Sequence, residues 1–358
     1  MRRLKKKNVI IIVCSLVILA IIVVFAFVIL NNKSDMNGTS SQDESATEEP
    51  IKKLQIINED SNSRPYAVMI NNHPQARAHH AGLQDAYIIY EMIVEGGLTR
   101  YLALFKDQNT EKIGSVRSSR HYFLDYALEN DAIYVHWGYS PQAKSDIKSL
   151  NIDNIDGLVY EGKYFYRDRS LGVATEHTGF TTMEFLKEAT EKLKYRDTSN
   201  QDTLLNYTTD VVDLSSKEDS IVADEVTIKY SSSVTDKYVY DSTLGVYKRY
   251  VNGKEHVDDV TKEQYTFKNI ITYQVENDTI SGDDKGRQEF YNVGEGTGYY
   301  ITNGYAIKIK WSKKDRSSQT KYTYLNGEEI EVNDGNTFIQ IQPKNQKLEI
   351  KENNENNN

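Results

Sequence analysis

Cysteine occurs once in 358 residues, at Cys14, and proline five times. A single thiol forms no internal disulfide, and Cys14 lies inside an apolar run rather than a folded domain. A disulfide framework and a thiol nucleophile are therefore both excluded. Equally absent are a P-loop, a Gly-x-Gly-x-x-Gly, a Gly-x-Ser-x-Gly and a His-Glu-x-x-His, which removes the usual support for nucleotide enzymes, α/β-hydrolases and common zinc proteases. Stability must come from packed cores, and the length beyond the first thirty residues predicts about two domains at ~150 residues each.

What is present begins with one long apolar stretch, residues 9–30, 22 residues without a charge. As a helix it reaches about 33 Å, enough for a hydrocarbon core of ~30 Å. Arg2, Arg3, Lys5, Lys6 and Lys7 precede it and Lys33 alone follows closely, so the N-terminus is cytoplasmic and the rest extracytoplasmic. Lipoproteins are cut before a lipid-bearing cysteine. Here Val13 stands where a small residue is needed, and the run continues past Cys14, so it reads as an uncleaved single-pass signal anchor in the lipid bilayer of the cell membrane. The chain carries −9 overall, 43 basic against 52 acidic residues; without the five N-terminal basic residues the remainder carries 38 minus 52, or −14. So acidic an exterior excludes general nucleic-acid binding and adhesion to anionic headgroups, and any anion site must be local.

The expected organisation is a basic cytoplasmic end at 1–8, the transmembrane helix at 9–30, a flexible stalk at 31–62, an α/β domain at 63–197, a mainly antiparallel β domain at 206–343 and a disordered tail at 344–358. Within the α/β part, 66–72, 86–91, 99–105 and 132–137 are short apolar runs that predict strands covered on both faces, and 119–130, 141–150 and 181–193 predict helices opened by Ser, Pro or Thr. Beyond 206, alternating Tyr, Thr, Val, Ile and Lys surround three Asn-Gly pairs, Asn252-Gly253, Asn303-Gly304 and Asn326-Gly327, each predicting a type I′ hairpin.

Arginine and histidine concentrate in the first part. Residues 64–196 hold 8 Arg and 8 Lys, whereas 206–350 hold 3 Arg and 15 Lys, and six of the seven histidines precede 197. Arginine's planar fork suits carboxylate and phosphate, so site chemistry is expected in the α/β part. The densest stretch is "KIGSVRSSRHYF". If Ser118 or Ser119 caps a helix, its free N–H groups face the same space as Arg117 and Arg120, which makes an anion site; alternatively those arginines pair with Glu91, Glu95 or Asp125 and hold the fold. In "YEMIVEGGLTRYLALF", Glu91 and Glu95 beside Arg100 read either as acid/base carboxylates or as a salt-bridged hairpin. The polar loop "NNHPQARAHHAGLQDA" carries His73, Arg77, His79 and His80 at a strand's carboxyl end, where open α/β sheets bind ligands; its histidine spacing is not that of a zinc pair. His136 ends a strand and His177 precedes a helix, each a ligand candidate or a buried structural histidine.

The segments "RPYAVMINNHPQAR", "YEMIVEGGLTRYLALF", "KIGSVRSSRHYF", "YVHWGYSPQA" and "WSKKDRSSQTKYTYLNGEEI" resemble the YerB-type lipoproteins, a Gram-positive cell-envelope family, over about residues 64–342. The resemblance implies two domains and names no reaction or cofactor. The order of a carboxylate-ended strand, an apolar strand and an arginine turn also looks loosely similar to the LytR-CpsA-Psr phosphotransferases. Two functions stay open: binding of an anionic envelope polymer or precursor through Arg77, Arg100, Arg117, Ser118, Ser119, Arg120, His136 and His177, or phosphoryl transfer or hydrolysis that adds Glu91, Glu95 and a divalent cation.

Overall fold

The computed structural model describes residues 52–352, which belong to one compact unit, Lys52–Asn358. The apolar run at 9–30, with its predicted membrane span, lies outside the described residues. Among the described residues no helix is long and apolar enough to cross a membrane.

An α/β part is followed by a mainly β part, and one eleven-stranded sheet runs through both. Its order is Ile221–Val222, Tyr305–Lys313, Gly294–Thr302, Asn269–Val275, Thr337–Pro343, Ile88–Ile93, Thr99–Phe105, Tyr66–Asn71, Ile133–His136 and Asn154–Asp156, with Lys321–Tyr324 added beside Tyr305–Lys313. The join is the parallel pairing of Ile88–Ile93 with Thr337–Pro343, in register from Ile88 with Thr337 to Glu91 with Gln340. Tyr66–Asn71, Ile88–Ile93 and Thr99–Phe105 are buried at every position, as their unbroken apolar runs predict.

The two faces of Ile88–Ile93 meet different layers. Tyr90 donates to Glu129 at 2.8 Å, at the end of the helix Leu124–Glu129. Its neighbour Glu91 points the other way, under a second sheet ordered Lys254–Glu255, Val246–Val251, Thr235–Asp241, Glu225–Lys229 and Leu348–Lys351. The rings of Phe338 and Phe267 cross between the layers with centroids 4.8 Å apart; burying one such side chain stabilises by roughly 1.5–3 kcal/mol.

Two Asn-Gly pairs form the expected two-residue hairpins, with positive φ at Asn252, Gly253, Asn303 and Gly304. At Asn326-Gly327 the loop is longer, closed by Tyr324 N to Glu328 O at 2.8 Å, and Gly327 alone of that pair has positive φ. Three further expectations change. The end of the predicted stalk is docked: Leu54 and Ile57 join the core and the Gln55 and Ile56 N–H groups bond Asp334. The predicted tail supplies the strand Leu348–Lys351, because Leu348 and Ile350 align with Ile228 and Val226. The predicted helix from 119 starts later, at His121, since 117–120 is held extended by pairing described below.

Candidate functional site

Residues 116–120 are wedged between the carboxyl ends of the parallel strands Tyr66–Asn71 and Ile133–His136. On one side Arg117 N bonds Met69 O at 2.8 Å; on the other Trp137 N bonds Arg117 O at 3.0 Å and Ser119 N bonds Gly138 O at 2.9 Å. Gly138 makes the turn at φ +80°, a conformation glycine adopts without the Cβ penalty. The place is the crevice beyond the carboxyl ends of parallel strands, where open sheets hold ligands.

This pairing removes the helix cap expected of Ser118 or Ser119. The residue before the helical turn is Arg120, at φ −124° and ψ 147°, and no side chain caps that turn. The hydroxyls are engaged elsewhere: Ser118 Oγ donates to Trp137 O at 2.9 Å, and buried Ser119 Oγ accepts from Tyr134 OH at 2.8 Å.

The arginines nevertheless gather. Arg120 grips Glu95 with both arms of its fork, Nε on Oε1 and Nη2 on Oε2 at 2.9 Å. Arg100 Nη2 lies 3.6 Å from the same Oε2, and its Nη1 donates to Ser118 O. Burial works to raise the Glu95 pKa, but the Arg120 bond and the charges of Arg100 and Arg120 outweigh it and hold the carboxyl below its usual range. Arg100 is depressed to about 9, first by burial and then by the Arg120 charge. One carboxylate thus faces two guanidiniums before Arg117 is added.

Arg117 makes a long 3.4 Å bond to Glu176 O and sits beside two histidines. His73 and His177 stack with centroids 4.4 Å apart and an interplanar angle of 9°. His73 Nδ1 accepts from Gln75 N at 3.2 Å, and His177 Nδ1 pairs with Asn71 Nδ2 at 2.8 Å. An amide NH₂ only donates, so each neutral ring carries its proton on Nε2. Both rings are held neutral, with pKa values lowered by burial and by nearby positive charge, that of Arg117 included. Three donor groups, Arg117 and the two Nε2–H groups, therefore belong to one cluster; the Glu176 carboxylate is near enough to act on all three by charge but makes no side-chain bond to them. Asn71 positions both rings, since its Oδ1 also accepts from His73 N at 3.1 Å.

The remaining candidates lie elsewhere. Arg77 clamps Asn72, donating from Nε to Oδ1 at 2.8 Å and from Nη2 to O at 3.0 Å, and lines a separate cavity of 490 Å³ with His256, Asp258 and Asp259. His136 is fully buried, bonded to Gly138 O at 2.9 Å and Asn154 Oδ1 at 3.1 Å, where it braces the turn that follows its strand. Glu91 is fully buried in the core. Its Oε2 accepts from Arg249 Nη2 at 2.8 Å, and the same nitrogen lies 2.7 Å from Asp236 Oδ2. Burial and then the Asp236 charge push Glu91 well above the usual carboxyl range, and one guanidinium serves both carboxyl groups.

Arg249 also fixes a chain of tautomers. It donates from Nη1 to His256 Nδ1 at 2.6 Å, His256 Nε2 then donates to His80 Nδ1 at 2.7 Å, and His80 Nε2 donates to Asn71 O at 2.6 Å. Arginine only donates, so every later role follows and both rings are neutral. Burial depresses His80 to about 3 and His256 well below the usual range. Among the described residues no group of three or more His, Cys, Asp or Glu is placed to hold a metal ion.

Residues 54–196 match the family described as "Protein of unknown function (DUF3048) N-terminal domain", and 226–339 match the corresponding C-terminal domain. The "Putative lipoprotein YerB" of Bacillus subtilis (strain 168) is 31% identical over 290 residues, 80% of this chain and 81% of that protein. The crystal structure of YerB protein from Bacillus subtilis superposes with a TM-score of 0.70 at 27% identity, covering 83% of this chain and 96% of that one.

Proposed function

This chain belongs to the DUF3048 family, and from that premise we propose that it is a membrane-anchored, extracytoplasmic binding protein that holds a phosphate- or carboxylate-bearing cell-envelope component at Arg117, His73 and His177, with Arg100 and Arg120 behind them. The apolar run at 9–30 and the lipoprotein description of its Bacillus relative support the envelope location. The observation that carries the binding reading is the charge imbalance at the strand ends. Three guanidiniums meet two carboxylates, Glu95, which Arg120 and Arg100 hold, and Glu176, whose charge acts on Arg117 without a side-chain bond to it. An anion there gains charge-assisted bonds and relieves the mutual repulsion of the arginines.

The test is calorimetric titration of Lys52–Asn358, one compact unit with its own core, with inorganic phosphate and with phosphate-bearing wall polymer. One charge-assisted bond contributes about 1.5–3 kcal/mol, so Arg117→Gln should weaken binding by roughly 10- to 100-fold with the melting temperature nearly unchanged. Unaltered binding in that variant, or a collapse of stability, removes the reading.

A further inference from the structure

We infer that the anion held at this site is the head of an amphiphile, a lipid-linked phosphate whose chain lies on an apolar shelf formed by Leu158, Val159 and Tyr139. The inference rests on the anion-binding reading and adds the second half of the ligand.

The shelf is an exception to the burial of this part of the molecule. Among the described residues before 206, the exposed large apolar side chains are Tyr139, Leu150, Leu158 and Val159, and Leu158 and Val159 are 62% and 67% exposed. Such side chains scattered singly need no explanation, but adjacent ones at the rim of a polar site do. The helix Gly157–Tyr160 that carries two of them is pinned at the wedge. Asp156 Oδ1 accepts from both Leu158 N at 2.9 Å and Gly138 N at 2.8 Å. A Cβ on Gly138 would stand 3.2 Å from Leu158 Cδ1 and 3.5 Å from Ser118 Oγ. Leu158 and Ser118, the serine whose carbonyl holds Arg100, thus both border Gly138. Tyr139 bridges Ser119 on the same turn, and Lys144 Nζ stands over its ring at 5.3 Å. Behind the shelf, Gly157 and Gly179 both close on Trp137, and Arg167 lies 4.1 Å from its ring.

Cations beside exposed aliphatic carbon match a ligand with an anionic head and an apolar tail. A whole anionic bilayer fits less well, because the chain beyond its first eight residues carries −14 by the sequence count and is repelled from such a surface. One lipid phosphate drawn into a local cationic site meets no such penalty.

The experiment titrates Lys52–Asn358 with methyl phosphate, decyl phosphate below its micelle concentration and decyltrimethylammonium. Decyl phosphate should bind at least about tenfold more tightly than methyl phosphate, since each buried methylene adds to affinity, and the ammonium should not bind. Leu158→Ser with Val159→Ser changes exposed side chains only; it should erase the chain-length difference and leave methyl phosphate affinity intact. Arg117→Gln should weaken both phosphates. Equal affinity for the two phosphates overturns the shelf while the anion site stands; equal binding of decyl phosphate and the ammonium means the head charge is not read and overturns the proposal of an anionic head at this site. Failure of both phosphates to bind removes the anion site and the shelf together.

Discussion

Two groups of charged residues divide this molecule, and they differ in stoichiometry more than in composition. Along the seam between the α/β and β parts, every base is matched by at least one acid: Lys313 Nζ lies 2.7 Å from Glu129, Arg316 lies 2.6 Å from Asp125 and 2.8 Å from Asp146, and Arg249 joins Glu91 to Asp236. Those groups are almost wholly buried, Arg316 and Asp146 excepted, and all the bonds but that of Arg249 to Asp236 cross from one part to the other. At the carboxyl ends of the strands Tyr66–Asn71 and Ile133–His136, three arginines outnumber the carboxylates; Arg100 is buried, while Arg117 and Arg120 keep part of their surface open to solvent. A closed network holds two layers in register; an open one has charge left over for something else.

Breaking the seam should produce the largest effect. Arg249→Met removes the guanidinium that Glu91 and Asp236 share and the donor that starts the His256–His80 chain. A buried carboxylate left unpaired costs about 3–5 kcal/mol, which lowers the melting temperature by on the order of 10 °C. Thermal unfolding of this variant beside Arg117→Gln separates the two groups directly. If the two variants lose stability equally, the rim arginine is a structural member and the contrast fails.

The contrast also explains what could be read without coordinates. Thr99–Phe105 is a strand at its predicted bounds because seven consecutive residues suit a sheet buried on both faces, and Asn252-Gly253 and Asn303-Gly304 turn as their backbone preferences dictate. The gathering of Arg100, Arg117, Arg120 and Glu95 was visible as composition around two nearby segments. The extended state of 117–120 was not, because it depends on partners at Met69, Trp137 and Gly138, and local propensity favours the helix that follows. Glu91 and Arg249 are 158 residues apart, so nothing local marks that carboxylate as a core residue. His73 was visible in its polar loop, yet its stacking on His177 depends on a contact about a hundred residues away. The scarcity of arginine after 206 was itself a signal: Arg249 and Arg316, two of the three, reach back to acids of the first part.

A smaller effect sharpens the seam through its pH dependence. Burial raises Asp125 to about 6 against the opposing charge of Arg316. A carboxyl whose folded pKa is raised favours the fold below its unfolded value of 3.8, and that share is lost as pH rises toward about 6. His80 acts in the opposite sense: depressed to about 3, it favours the fold above 6.5 and loses that share as pH falls. Asp125→Asn deletes the first contribution alone. Its unfolding free energy should gain about 3 kcal/mol on the native chain between pH 3.8 and about 6, measured by denaturant titration at several pH values. Parallel profiles would mean that Asp125 stays ionised throughout.

The smallest effect bears on how the rim is built. Under the helix-cap geometry that the "SVRSSR" stretch suggests, the Ser119 hydroxyl and the adjoining N–H groups face the anion, and Ser119→Ala weakens binding. In the extended geometry Ser119 is buried and its Oγ accepts from Tyr134 OH, so its loss leaves a buried phenol without its acceptor. That costs about 1–2 kcal/mol of stability and leaves the Arg117, His73 and His177 donors where they are. Ser119→Ala should therefore lower the melting temperature slightly while phosphate affinity stays the same. Reduced affinity with unchanged stability would restore the helix mouth as the anion's seat and move the site from the Arg117 side of the wedge to the other.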